Sequence, residues 1–96
     1  MLDGVNWDAL HKSLAECYNR FGNAHSQQNT HTAALAAYDR AIALHEQAMW
    51  QRNRAGTLIE LKRLDEAQAA LSRARELAPD ATRLVELEAE LAAARG

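Results

Sequence analysis

Thr32–Leu44 reads TAALAAYDRAIAL, and Asp65–Leu77, thirty-three positions further on, reads DEAQAALSRAREL. Laid over each other, Ala34 falls on Ala67, Tyr38 on Leu71 and Ala41 on Ala74. Each stretch sets small and large apolar residues on one stripe at spacings of three and four, the period of an amphipathic helix. Upstream of each, the same shift places Gly22 on Ala55, so a small residue in one helix precedes the pattern A-x3-[YL]-x2-A in the next. A period of this length over helical segments predicts a repeat of antiparallel helix pairs.

The close approach of two helices explains the small residues. Gly22 and Ala55 lack bulk on one helix of each pair, and Ala34, Ala41, Ala67 and Ala74 lack it on the other. Tyr38 and Leu71 then fill the space between pairs. Overpacking such a crossing costs about 1–3 kcal/mol.

Those residues carry a resemblance to the tetratricopeptide repeat family, whose motif runs W-x2-L-G-x2-Y, then A-x3-F, then Pro. The first copy reads Tyr18-x2-Phe21-Gly22-x2-His25, then Ala34-x3-Tyr38-x2-Ala41. The second reads Gln51-x2-Arg54-Ala55-x2-Leu58, then Ala67-x3-Leu71-x2-Ala74, and closes on Pro79. Asn29 and Lys62 stand where the family often has a turn glycine, and the first copy lacks its closing proline. The resemblance implies an all-α superhelical repeat of about five helices. It divides the chain into an N-terminal helical extension (1–14), two repeats (15–47 and 48–80) and a C-terminal capping helix (81–96).

Composition agrees. The 96 residues fit one domain, the apolar content is mostly Ala and Leu, and there are four glycines and one proline. Residues 1–48 carry three basic and five acidic side chains, and residues 49–96 carry eight of each. With no basic arm, nucleic acid is not an expected partner. No stretch approaches the apolar length of a membrane span, and the single cysteine, Cys17, fits a reduced, cytoplasmic setting.

The expected helices run from about Trp7 to Gln28 behind an Asn6 cap, to Leu44 after the turn Asn29–Thr30, over Ala48–Leu61, over Leu64–Leu77, and from an Asp80 cap to about Arg95. In the last helix Glu88 takes the place of Gly22 and Ala55. A carboxylate there predicts a capping helix with a wet outer face.

Catalytic signatures are missing: there is no Gly-rich phosphate loop, H-E-x-x-H or Gly-x-Ser-x-Gly. No catalytic residues, cofactor or enzyme activity are expected. His25 and His31 fall near each other across a helix turn, but tight ligand spacing is lacking, so no metal is expected and packing is the default reading. His11 and His45 read as surface residues. Cys17, between Glu16 and Tyr18, has no activating positive charge beside it.

In the family, the first helices of successive repeats line a concave groove. The resemblance therefore implies a peptide-binding groove carrying Asn19, Asn23, Arg52, Asn53 and Arg83, with Gln27, Gly56 and Leu87 beside them, for a protein or peptide partner that is acidic or carboxylate-bearing. One subfamily grips chaperone-tail carboxylates with lysines, an arginine and asparagines. Asn23 and Asn53 match its asparagines and Arg83 stands at a lysine, but Asn19 replaces the other lysine and Leu87 the arginine. Asn23 and Asn53 also read as plain helix-surface residues. A second expectation is self-association. Trp7, Leu10 and Leu14 share one helical face upstream of the first repeat, where a homodimer contact or a fold-back of Met1–Val5 would cover them. A third is a scaffold segment of a larger signalling protein.

Overall fold

A computed structural model describes residues 4–80 and 83–96. Among them run five helices: α1 (Trp7–Gln27), α2 (His31–Leu44), α3 (Ala48–Glu60), α4 (Leu64–Leu77) and α5 (Leu84–Arg95). No strand occurs among the described residues. Helix α1 packs on α2, α2 on α3, α3 on α4, and α5 lies against both α3 and α4. The result is an elongated body with extents of 56 × 29 × 19 Å.

Local chemistry sets the helix ends. The Asn6 side chain accepts from the Ala9 N–H at 3.0 Å, satisfying one of the donors a helix N-terminus leaves over. At the far end of α1, Thr30 N–H donates to His25 O at 2.9 Å and Asn29 N–H to Ser26 O at 3.1 Å. Helix α3 ends the same way, with Arg63 N–H on Leu58 O at 2.9 Å and Lys62 N–H on Ile59 O at 3.0 Å. Both are Schellman ends that reverse the chain through one left-handed residue, Asn29 or Lys62.

The crossings are as close as the small residues require. Ala34, Ala41, Ala55, Ala67 and Ala74 are all fully buried. A Cβ added to Gly22 would lie 2.5 Å from Cε1 of Tyr38, so the ring rests directly on the backbone of α1. The core falls into two unequal parts. Ala15, Ala41 and Trp50 form a small cluster where α1, α2 and α3 meet, while Leu58, Leu71, Leu84, Leu87 and Leu91 lead a larger one between α3, α4 and α5. Helix α5 thus adds three buried leucines, each worth about 1.5–3 kcal/mol of apolar burial. Its C-terminus is tied back to the start of α4, where Arg95 Nη2 donates to Leu64 O at 3.2 Å and pairs with Asp65 at 3.0 Å.

The start of α5 departs from expectation. Asp80 does not cap it. The helix begins at Leu84, with Arg83 at the cap in left-handed backbone (φ 71°) and no side-chain cap bond. That turn brings Leu84 into the core, where it is 1% exposed; the intervening 81–82 lie outside the described residues. Glu88 is half-exposed and turns toward α4, where it pairs with Arg75.

Candidate peptide groove

The first helices of the two repeats and the start of α5 turn the same side outward. Between them lies an open cavity of about 290 Å³. Its walls include Asn23 from α1, Arg52 and Asn53 from α3, and Arg83 at the head of α5, with Leu87 and Gly56 between them. Four of the five residues expected from sequence thus reach one cavity. The fifth, Asn19, does not line it. Its Oδ1 instead accepts from Asn53 Nδ2 at 3.2 Å, so Asn19 supports Asn53 from behind. One helical turn nearer the N-terminus than Asn23, its side chain meets α3 beside the opening.

Three lining residues escaped the sequence reading: Ser26, Thr57 and Tyr38. Thr57 is buried, and its hydroxyl donates to Asn53 O at 3.1 Å, a bond back into the helix that leaves little for a ligand. Tyr38 is the informative one. It sits at the inter-repeat core position and is 2% exposed, yet its hydroxyl reaches the cavity edge and donates to Asn23 Oδ1 at 2.6 Å. Burial pushes the phenol's pKa up, so it stays a donor across the ordinary range. The legible signal was the tyrosine itself, because a buried phenol needs a partner that phenylalanine does not.

Arg52 and Arg83 bring positive charge, and no carboxylate lines the cavity among the described residues. Arg83 also meets Glu86 at 3.5 Å, an exposed pair worth little energy.

The remaining polar groups are engaged in structure. Glu46, in the α2–α3 connection, takes two hydrogen bonds from Arg73, at 2.6 and 2.9 Å, and one from Gln51 at 2.7 Å. The arginine's hydrogen bond holds the Glu46 carboxyl below the usual range. His25 Nδ1 lies 3.0 Å from Thr30 Oγ1 within the α1–α2 turn. His31 Nδ1 is buried without a hydrogen-bond partner. Among the described residues no three His, Cys, Asp or Glu side chains converge as a metal site would require.

The apolar face of α1 is bare. Trp7 is 48% exposed, Leu10 50%, Leu14 45% and Phe21 61%. Helix α2 packs on the neighbouring side of α1, the side of Ala15 and Gly22. In the second repeat the position equivalent to Phe21 is Arg54, which reaches back to Asp39 of α2 at 2.6 Å. Phe21 thus stands where, in the second repeat, α3 meets α2 of the repeat before it. The fold-back of Met1–Val5 falls largely on Met1–Asp3, outside the described residues. No described helix is long and apolar enough to cross a membrane.

No curated protein and no solved structure matches this chain. A family model described as tetratricopeptide repeat matches residues 15–47 and 53–81. Those spans hold α2 and α4 whole, most of α1 and α3, both Schellman turns and the repeated alanine crossings, and the chain belongs to the tetratricopeptide repeat family.

Proposed function

We propose that this chain is a protein-interaction module, without catalysis of its own, that holds an extended peptide in the groove between α1, α3 and the head of α5. One observation carries the reading: Asn23, Arg52, Asn53 and Arg83, from three helices and sixty positions of chain, line a single cavity. Carboxamides suit a peptide main chain, and the two arginines favour an acidic or carboxylate-bearing segment through charge-assisted hydrogen bonds. The exposed single thiol of Cys17 suits a reducing, cytoplasmic setting.

Selection of random dodecapeptides displayed on phage tests this. Bound sequences should be rich in Asp, Glu or a free C-terminus. Arg52→Ala with Arg83→Ala should weaken the best of them and flatten its salt dependence. Unchanged affinity in that double variant removes the groove from consideration.

A second reading has its own support. Trp7, Leu14 and Phe21 recur at seven residues and Leu10 and Cys17 fall between them, the 3.5-residue seam of a two-helix coiled coil. Beside the seam is a hollow of about 270 Å³ bordered by Leu14, Tyr18 and Leu44. A surface with both knobs and a hole suits a second copy of itself. Sedimentation equilibrium should show a dimer that Trp7→Ala with Leu10→Ala dissociates; a monomer at high micromolar concentration overturns this reading.

A further inference from the structure

We propose that Tyr38 is a positioning residue of the groove: its buried hydroxyl takes the Asn23 carbonyl oxygen and so presents the Asn23 amide NH2 to the ligand. The proposal rests on the groove reading above.

A carboxamide has an accepting end and a donating end, and which one faces a ligand is set by the bond the other makes. At Asn23 the oxygen is taken by Tyr38 Oη at 2.6 Å. The phenol has little freedom to move. Its ring is buried and pressed against the bare backbone of Gly22, where even a Cβ would come within 2.5–2.9 Å of three ring atoms. Asn23 is the next residue along α1. The helix crossing that seats the ring therefore also places the hydroxyl, and the hydroxyl places the amide. At Asn53 the engaged end is the nitrogen: one of its two N–H groups donates to Asn19 at 3.2 Å, which fixes the carboxamide with Oδ1 at the opposite end as the acceptor. The groove then offers a donor from α1 and an acceptor from α3, complementary to the C=O and N–H of one peptide unit.

The chain contains its own control. Thirty-three residues on from Tyr38 and Asn23 stand Leu71 and Gly56, with neither hydroxyl nor carboxamide. The second repeat still buries Leu71, Ala55 and Ala67 to 1% exposure or less and closes with the same Schellman end. A repeat of this kind does not need the Tyr38–Asn23 bond in order to fold. Its presence in the first repeat alone, at the edge of the cavity, points to the groove.

Tyr38→Phe tests this, because it keeps the ring on Gly22 and removes only the oxygen. The probe is the tightest dodecapeptide from the display selection, capped at its N-terminus. Tyr38→Phe should bind it roughly ten-fold more weakly, about the worth of one well-placed hydrogen bond. Asn23→Ala should do the same, and the double variant should be no worse than either. In the free protein, NMR couplings across χ1 of Asn23 should average in Tyr38→Phe, while those of Asn53 stay as in the wild type. Wild-type affinity in Tyr38→Phe, or losses that add in the double variant, overturns the proposal while leaving the groove intact. If no dodecapeptide is selected, the groove reading fails. The couplings then decide alone: averaging at Asn23 supports the positioning bond, and unchanged couplings overturn it.

Discussion

Asn29 and Lys62, thirty-three residues apart, turn the chain with the same left-handed backbone, φ 61° and 63°. Each follows the last turn of the first helix of its pair and donates into the same Schellman pattern. Equal geometry at equal spacing is what gives the two helix pairs one shape. Neither residue is glycine, so both turns carry conformational cost.

Replacing Lys62 with Gly should relieve that cost and raise stability by about 1 kcal/mol, since a side chain in the left-handed region is penalised by roughly 1–2 kcal/mol. Asn29→Gly should gain less, because asparagine tolerates this region better. Urea denaturation of both variants measures it. Loss of stability in Lys62→Gly would mean that its side chain contributes more than the backbone costs.

Two glycines inside helices should respond in opposite directions. Gly22→Ala puts a methyl group into the Tyr38 ring and should destabilise by about 1–3 kcal/mol. A Cβ at Gly56 meets only Leu87 Cδ2, at an ordinary 3.8 Å. Gly56→Ala should therefore stabilise by about 0.5–1 kcal/mol, as helix-interior glycines do when replaced. It also narrows the groove, so the selected dodecapeptide should bind it less well. Thermal melts and a titration read both halves.

Ala55→Leu or Ala67→Leu should lower the melting temperature markedly, because both sites are fully buried at crossings; the expected cost is about 1–3 kcal/mol. Glu88→Leu should change stability by no more than about 0.5 kcal/mol, since Glu88 and its partner Arg75 are both half-exposed. Unfolding by Glu88→Leu with Ala55→Leu tolerated would show that α5 stacks differently.

Acid should loosen the tie between α4 and the α2–α3 connection. The Glu46 carboxyl is held below its ordinary range, first by the hydrogen bond from Arg73. A depressed carboxylate contributes stability above its unfolded-state pKa, near 4.3, and loses it as pH falls through the folded value. Glu46→Gln should thus be less stable than wild type at pH 7, with the difference shrinking as pH falls below the unfolded-state value and through the lower folded one. Urea midpoints measured from neutral pH downward check this; a difference that does not shrink with falling pH would assign the effect to packing.

Most of the fold is legible in the sequence. Helices α2, α3 and α4, and the close crossings at Gly22, Ala34, Ala55 and Ala67, follow from apolar spacing and from small residues recurring at one interval. Helix period and side-chain volume are local properties, carried by the residues themselves. The groove was legible as a set of exposed polar residues on the first helices, and no further. That Asn19 backs Asn53 rather than facing a ligand, and that Tyr38 holds Asn23, depends on contacts between residues 34 and 15 positions apart. Such contacts exist only once the helices cross at a particular depth. The start of α5 at Leu84 rather than behind Asp80 belongs to the same class, since it goes with the burial of Leu84 against α3 and α4. The sequence marked Trp7, Leu10 and Leu14 as a face in need of cover, but the exposure of Phe21 beside them was decided in three dimensions. An apolar stripe states that a face should be covered, but only the side of α1 that α2 takes reveals which face this chain leaves bare.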